Sequence, residues 1–293
     1  MSKLLVVDKS VFHALYQCDD KLCAFFKKYN VVLPYALAAE CLISENQDLS
    51  KNPEKLLRGL DKAIKAGANI GYSSFKLFQL EKTTLCPVKS VVDESSTQQF
   101  RDGDPNTDID FLKQEAECCR KAFEPTIKVL LGIAEKLYAN PCKYSELANK
   151  SFKDNDRTYR FKNWIKFADQ QTEYLLKKEL SEEISSLADA NWFTWQISRL
   201  WLAYCRDWSW KKSRDNSIEK IRSNDLYDIE HITYLSRADG LLTNDQKLQI
   251  PLTKAAFPRK DLFVVDTRVN DSRKVQHVFD DIVSKIPANY RIE

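Results

Sequence analysis

Four acids stand where an α/β fold would place a functional group. Asp8 follows the apolar run Leu4–Val7, and Glu40 lies within the stretch Pro34–Leu42. Asp228 opens the segment carrying Ile229, Ile232 and Leu235, and Asp245 closes Leu241-Leu242-Thr243-Asn244. Carboxylates brought together repel one another, and burial raises the cost of each charge. A divalent cation relieves both problems. Mg²⁺ and Mn²⁺ prefer oxygen ligands and keep some of their waters. Such an ion lowers the pKa of a water and stabilises charge on a phosphate oxygen. The chemistry these residue types point to is metal-assisted hydrolysis, with no serine, histidine or cysteine nucleophile. Each acid has a plain structural alternative: a helix cap for Asp8 and Asp228, an exposed helix face for Glu40, a turn for Asp245. Four independent structural roles do not predict this order along the chain.

The elements that must position these acids are legible at both ends. Leu4–Val7 and Val31–Leu33 are short apolar runs of the kind buried in parallel sheets. An amphipathic stretch spans Ser10 to about Lys28, and Pro34 suits the first turn of a helix. Late in the chain a helix is expected over Tyr227–Ser236, strands over Leu241–Thr243 and Leu262–Val265, and a helix over Val275–Ile286. The middle has helical patterns at Leu56–Ala66, Asp110–Tyr138 (with a break or kink near Pro125), Tyr159–Leu180 and Glu182–Lys211. Residues 90–108, polar and turn-rich, are expected to form a surface loop. Neither end alone can bury a core. The expected architecture is therefore an α/β domain of residues 1–45 plus 218–293, with a parallel sheet, interrupted by a helical insertion at 46–217.

Composition agrees with a globular chain. Of 293 residues, 43% are hydrophobic, enough for a sizeable core, and only six are glycine, which argues against Gly-rich nucleotide loops. The net charge of +3 is too small to imply a nucleic-acid partner by itself. The N-terminus has no signal-peptide pattern, because Asp8 interrupts its apolar run, and no long apolar run occurs elsewhere. The eight cysteines are expected to be reduced thiols of a cytoplasmic protein with no membrane association.

The segments LLVVD (4–8), LPYALAAECL (33–42) and DIEHITYLSRADGLLTND (228–245) resemble the acidic motifs of the PIN-domain ribonucleases. The resemblance implies a PIN-like three-layer core and an endoribonuclease that hydrolyses RNA phosphodiesters. Asp8, Glu40, Asp228 and Asp245 would hold Mg²⁺ or Mn²⁺, with Asp245 completing the site or positioning the attacking water. Ser10, Thr243 and Asn244 match the small polar residues beside these acids. Asp239, in Ala-Asp-Gly before the strand, is either a turn residue or an acid supporting the cluster. His231, one turn after Asp228, is taken as structural or as a support behind the acids, not as catalytic. The resemblance does not extend to residues 46–217.

That middle span interleaves basic and aromatic residues at 157–167 and 192–214. Arginine and lysine meet phosphates and aromatic faces stack on unpaired bases, so Lys211, Lys212 and Arg214 are candidates for RNA contact. The tryptophans are equally explained as helix-packing core. The span also offers a surface for a protein regulator or a second copy of the chain. Three other functions are kept open: a non-catalytic scaffold of the same fold, a DNA-directed nuclease, and a toxin or defence effector controlled by a partner.

Overall fold

The computed structural model describes residues 2–17, 19–42, 53–103, 105–139, 156–179, 189–215, 220–267 and 275–292. The N-terminal part runs β1 (Leu5–Val7), α1 (Lys9–Tyr16), α2 (Asp19–Lys28), β2 (Val31–Leu33) and α3 (Ala36–Leu42). Next come α4 (Pro53–Ala66), β3 (Asn69–Ile70), α5 (Ser74–Thr84), α6 (Glu94–Asp102), α7 (Pro105–Ala139), α8 (Arg157–Glu179) and α9 (Phe193–Lys212). The chain ends with α10 (Ser223–Thr233), a 3-10 turn at Tyr234–Ser236, β4 (Gly240–Thr243), α11 (Gln249–Ala256), β5 (Asp261–Val264) and α12 (Val275–Lys285). No described helix is long and apolar enough to cross a membrane.

The five strands form one all-parallel sheet in the order β3-β2-β1-β4-β5. The two ends of the chain meet at its centre, where Leu5, Val6 and Val7 stand beside Gly240, Leu241 and Leu242. Residues 5–7 and 31–32 are fully buried, as short β-branched runs covered on both faces should be. The sheet winds outward in one direction from β1 through β2 and β3, and in the other from β4 to β5. The crevice at the carboxyl ends of β1 and β4 is therefore the switch point, where open α/β sheets bind ligands.

The helices refine the expectation in three places. The amphipathic stretch after Asp8 is two helices, α1 and α2. Residues 90–108 are not a loop: Asp93 accepts a hydrogen bond from the Ser96 backbone N–H at 3.0 Å and starts α6. The polar sequence hides that helix because only Thr97 and Phe100, one turn apart, are buried. Pro125 lies inside α7, which runs unbroken from Pro105 to Ala139. Of the expected helix Glu182–Lys211, residues 182–188 lie outside the described residues.

The sheet's fifth strand comes from Asn69–Ile70, within the span expected to be wholly helical. Asn69 helps to seat it, donating from Nδ2 to the Val31 carbonyl at 3.1 Å. Just beyond it, a Cβ at Gly71 would fall 2.2 Å from Tyr234 Cε1. The Tyr234 ring cannot yield easily, because it is buried and its hydroxyl is bonded by Tyr35 N–H and to the Tyr72 carbonyl. Gly71→Ala should therefore lower stability by about 1–3 kcal/mol through overpacking. Urea unfolding checks this; an unchanged midpoint would contradict it.

Two further contacts join the helical layer to the sheet. Buried Glu81 of α5 accepts from the backbone N–H groups of Phe193 and Thr194 at 2.7 and 2.9 Å, capping α9 from outside that helix. Helix α8 packs on both α9 and α11. The helix beginning with Gln249 is thereby held against the middle of the chain.

Candidate metal centre

Asp8 is the hub of the site. Strand β1 ends at Val7, and Asp8 stays extended (φ −76°, ψ 156°) as the N-cap of α1, accepting from Ser10 N–H at 3.4 Å and from the Ser10 hydroxyl. Its other partners come from the far end of the chain. Thr243 Oγ1 donates to Asp8 Oδ2 at 3.2 Å, and Gln249 Nε2 donates to Oδ1 at 2.9 Å. The same Gln249 amide nitrogen donates to Asp228 Oδ1 at 2.7 Å. One neutral donor thus bridges two carboxylates.

Asp228 is the sixth residue of α10, not its first; Arg222 is the N-cap. Capping is excluded for Asp228, and helical periodicity puts it on one face with His231, one turn later. His231 is fully buried between two acids: Nδ1 lies 3.5 Å from Asp8 Oδ1, and Nε2 lies 3.2 Å from Glu40 Oε2. Neither ring nitrogen, nor Glu40 Oε2, nor Gln249 Oε1 has a hydrogen-bond partner. Glu40 is only 3% exposed, which rules out the exposed helix face.

The remaining sites predicted from sequence divide. Ser10 and Thr243 both donate to Asp8. Asp245 reaches the same edge, but its carboxylate turns onto its own backbone, accepting from the N–H groups of Lys247 (2.7 Å), Leu248 (3.1 Å) and Gln249 (2.9 Å). Its backbone N–H bonds Thr243 Oγ1 at 3.0 Å. Asp245 thus sets the entry to α11 and aims Gln249 at the acids. Asn244 turns the other way and donates to Thr267. Asp239 does not join the cluster. It lies at the amino end of β4, where its carboxylate accepts from Leu4 N–H at 2.9 Å. The parallel register forces this, since Gly240 pairs with Leu5, three residues before Asp8.

The basic candidates are already engaged within the chain. Lys211 Nζ pairs with buried Asp207 at 2.8 Å. Lys212 lies over Trp208 and Arg214 over Trp210, with 4.8 and 4.5 Å to the ring centroids. Trp192 and Trp208 are core residues.

Burial pushes the Glu40 carboxyl up to about 7, with help from Asp8 and Glu230 and against His231 and Lys9. Burial, then Glu40, Asp8 and Asp245, hold Asp228 well above the usual carboxylate range. Burial would raise Asp8 too, but His231, Ser10 and Gln249 bring it below its ordinary value. Burial would lower His231, yet Glu40 and Asp8 raise it. The cluster has more acid than its one imidazole and Lys9 can neutralise. Ligand atoms of Asp8, Asp228 and His231 all lie within 4.8 Å of one another. Two ligands opposite each other across an ion at about 2.1 Å stand about 4.2 Å apart, so small side-chain turns bring these atoms into range. The donor set and its orphaned polar atoms fit a divalent cation.

Burial keeps the Glu40 carboxyl mostly protonated below about pH 7, so affinity for a cation entering beside it should climb with pH through that range, by about tenfold per pH unit per displaced proton. Mn²⁺ titration calorimetry between about pH 6 and about pH 8 checks this; a flat affinity would contradict it.

Compared with family models, with curated proteins and with solved structures, the chain finds no match. Gln249 is not among the site residues expected from sequence, and His231 is expected there as structural or as a support behind the acids. The spacing Asp-x-x-His on an apolar helix was the available signal for His231. Gln249 gave none, because its role depends on a turn made by Asp245.

Proposed function

We propose that this chain is a metal-dependent endoribonuclease of the PIN-like class, hydrolysing RNA phosphodiester bonds at the carboxyl edge of its parallel sheet. The observation that carries the reading is the junction of Asp8 and Asp228, from opposite ends of the chain, through one Gln249 amide. Buried side-chain atoms of His231, Glu40 and Gln249 near these acids have no hydrogen-bond partner. The acidic motifs that resemble those of PIN ribonucleases supply the reaction class.

Asp8 and Asp228 would hold Mg²⁺ or Mn²⁺, with Glu40 behind them. When bound, such an ion supplies Lewis-acid stabilisation of charge on the phosphate and eases ionisation of a water. The chain's own residues do the rest. Thr243 and Ser10 fix the Asp8 carboxylate, so little reorganisation is required at reaction. Gln249 keeps Asp8 and Asp228 together against their mutual repulsion. Asp245 orients Gln249 through α11. Lys212 and Arg214, at the end of α9, remain candidates for phosphate contact, whereas the charge of Lys211 is matched by Asp207.

Matched RNA and DNA strands incubated with purified protein and Mn²⁺, Mg²⁺ or EDTA test the proposal. RNA should be cut in the presence of metal and left intact in EDTA. Cutting of DNA alone would overturn the substrate class, and no cutting of either by folded protein would overturn the nuclease reading.

A further inference from the structure

We propose that His231 is itself a ligand of the cation through Nδ1, and that Glu40 is the carboxylate holding the imidazole from the other side. The inference rests on the metal-dependent reading above and changes its ligand set. His231 is fully buried, so its two ring nitrogens must be satisfied inside the protein. Neither makes a hydrogen bond. Nδ1 faces Asp8, and with Asp8 and Asp228 the histidine forms the group whose ligand atoms approach one another. Nε2 lies 3.2 Å from Glu40 Oε2. An imidazole that ligates a metal through one nitrogen generally donates its other N–H to a carboxylate, which fixes the ring and raises its basicity. Glu40 is in place for that role, and its unpartnered Oε2 would accept the bond.

Two consequences follow for this site. Asp245 is not required as a ligand, since its oxygens are occupied by backbone N–H groups. The donors become two carboxylates and one imidazole, a set suited to a first-row transition ion. Mg²⁺ demands oxygen ligands in near-ideal octahedral geometry, so Mn²⁺ should be preferred over Mg²⁺.

Pulsed electron paramagnetic resonance of the Mn²⁺-loaded full chain tests this, because a directly bound imidazole nitrogen modulates the Mn²⁺ signal. The chain has three histidines. The modulation should be present in wild type, change on ¹⁵N-histidine labelling, and persist when His13 and His277 are both replaced by glutamine. It should vanish in His231→Gln, with Mn²⁺ affinity falling by about 10- to 100-fold. Glu40→Gln should keep the modulation while weakening Mn²⁺ binding on the same scale. Mn²⁺ bound with no nitrogen modulation in wild type would overturn the histidine ligand and leave the acidic site standing. No Mn²⁺ binding by folded wild type would overturn both this inference and the functional reading beneath it.

Discussion

Asp8→Asn should reduce metal-dependent RNA cleavage by at least about 10²-fold, the scale of removing one preorganised electrostatic group from an active site. The substitution separates charge from shape. Asparagine is as good an N-cap as aspartate, so the start of α1 should persist. Its oxygen can still accept from Ser10, which lies two residues on in the same turn. Its amide, however, cannot accept from both Thr243 Oγ1 and Gln249 Nε2, which bond the two different oxygens of Asp8. One of those contacts becomes donor against donor, at a cost of about 1–3 kcal/mol in stability. The loss of charge removes the hub around which Asp228 and His231 are arranged. Cleavage kinetics and circular dichroism on the same preparation separate the two effects. A folded variant with wild-type cleavage would remove Asp8 from the site.

The largest expected effect on stability lies elsewhere, at Asp207 in α9. Its side chain is fully buried and meets three cations: Lys211 Nζ at 2.8 Å, Arg157 Nη2 at 3.1 Å and Arg160 Nε at 3.5 Å. Asp207→Asn leaves these charges without their common partner. Breaking a buried ion pair from one side typically costs about 3–5 kcal/mol, a large share of the roughly 5–15 kcal/mol that holds a typical domain together. Burial alone would raise the Asp207 carboxyl, but Lys211, Arg157 and Arg160 more than reverse this and hold it below the usual carboxylate range. The sign follows from linkage. A carboxyl whose pKa is depressed on folding stabilises the protein above its unfolded value, and that contribution fades as pH falls through the folded value. The wild type should therefore lose stability in acid more steeply than Asp207→Asn. Urea unfolding at neutral and acidic pH measures both quantities; equal stability at neutral pH would show that the cations find other partners.

Strands β1, β2 and β4 were readable because each is an uninterrupted apolar run buried on both faces. Strand β3 is two half-buried residues, one of them asparagine, and is recognisable only through its pairing with β2. Helix α6 exposes a polar face and buries two side chains, so its turn-like composition masked its cap. The acids Asp8, Glu40 and Asp228 were legible because their types and order are unusual for strand ends and apolar helices. Their neighbours were harder. Asp239 precedes β4 and Asp245 follows it, and the parallel pairing with β1 brings only the Asp245 end beside Asp8. Asp228 looked like a helix opener because the cap-type residues Ser223, Asn224 and Asp225 lie within the first turn of α10 and not before it. Gln249 could not be found, since its partners Asp8 and Asp228 lie 241 and 21 residues away along the chain. His231 depended on Glu40 and Asp8 closing around it from different elements.

Anomalous diffraction from crystals of the full chain soaked in Mn²⁺ tests most directly the proposal that these side chains hold a divalent cation. A strong anomalous peak is expected among Asp8, Asp228 and His231, at bonding distance from an oxygen of each aspartate and from Nδ1 of the histidine. The peak should be absent in Asp8→Asn crystals grown and soaked in the same way. Wild-type crystals with no peak in that cluster, at a Mn²⁺ concentration that supports cleavage, would contradict it.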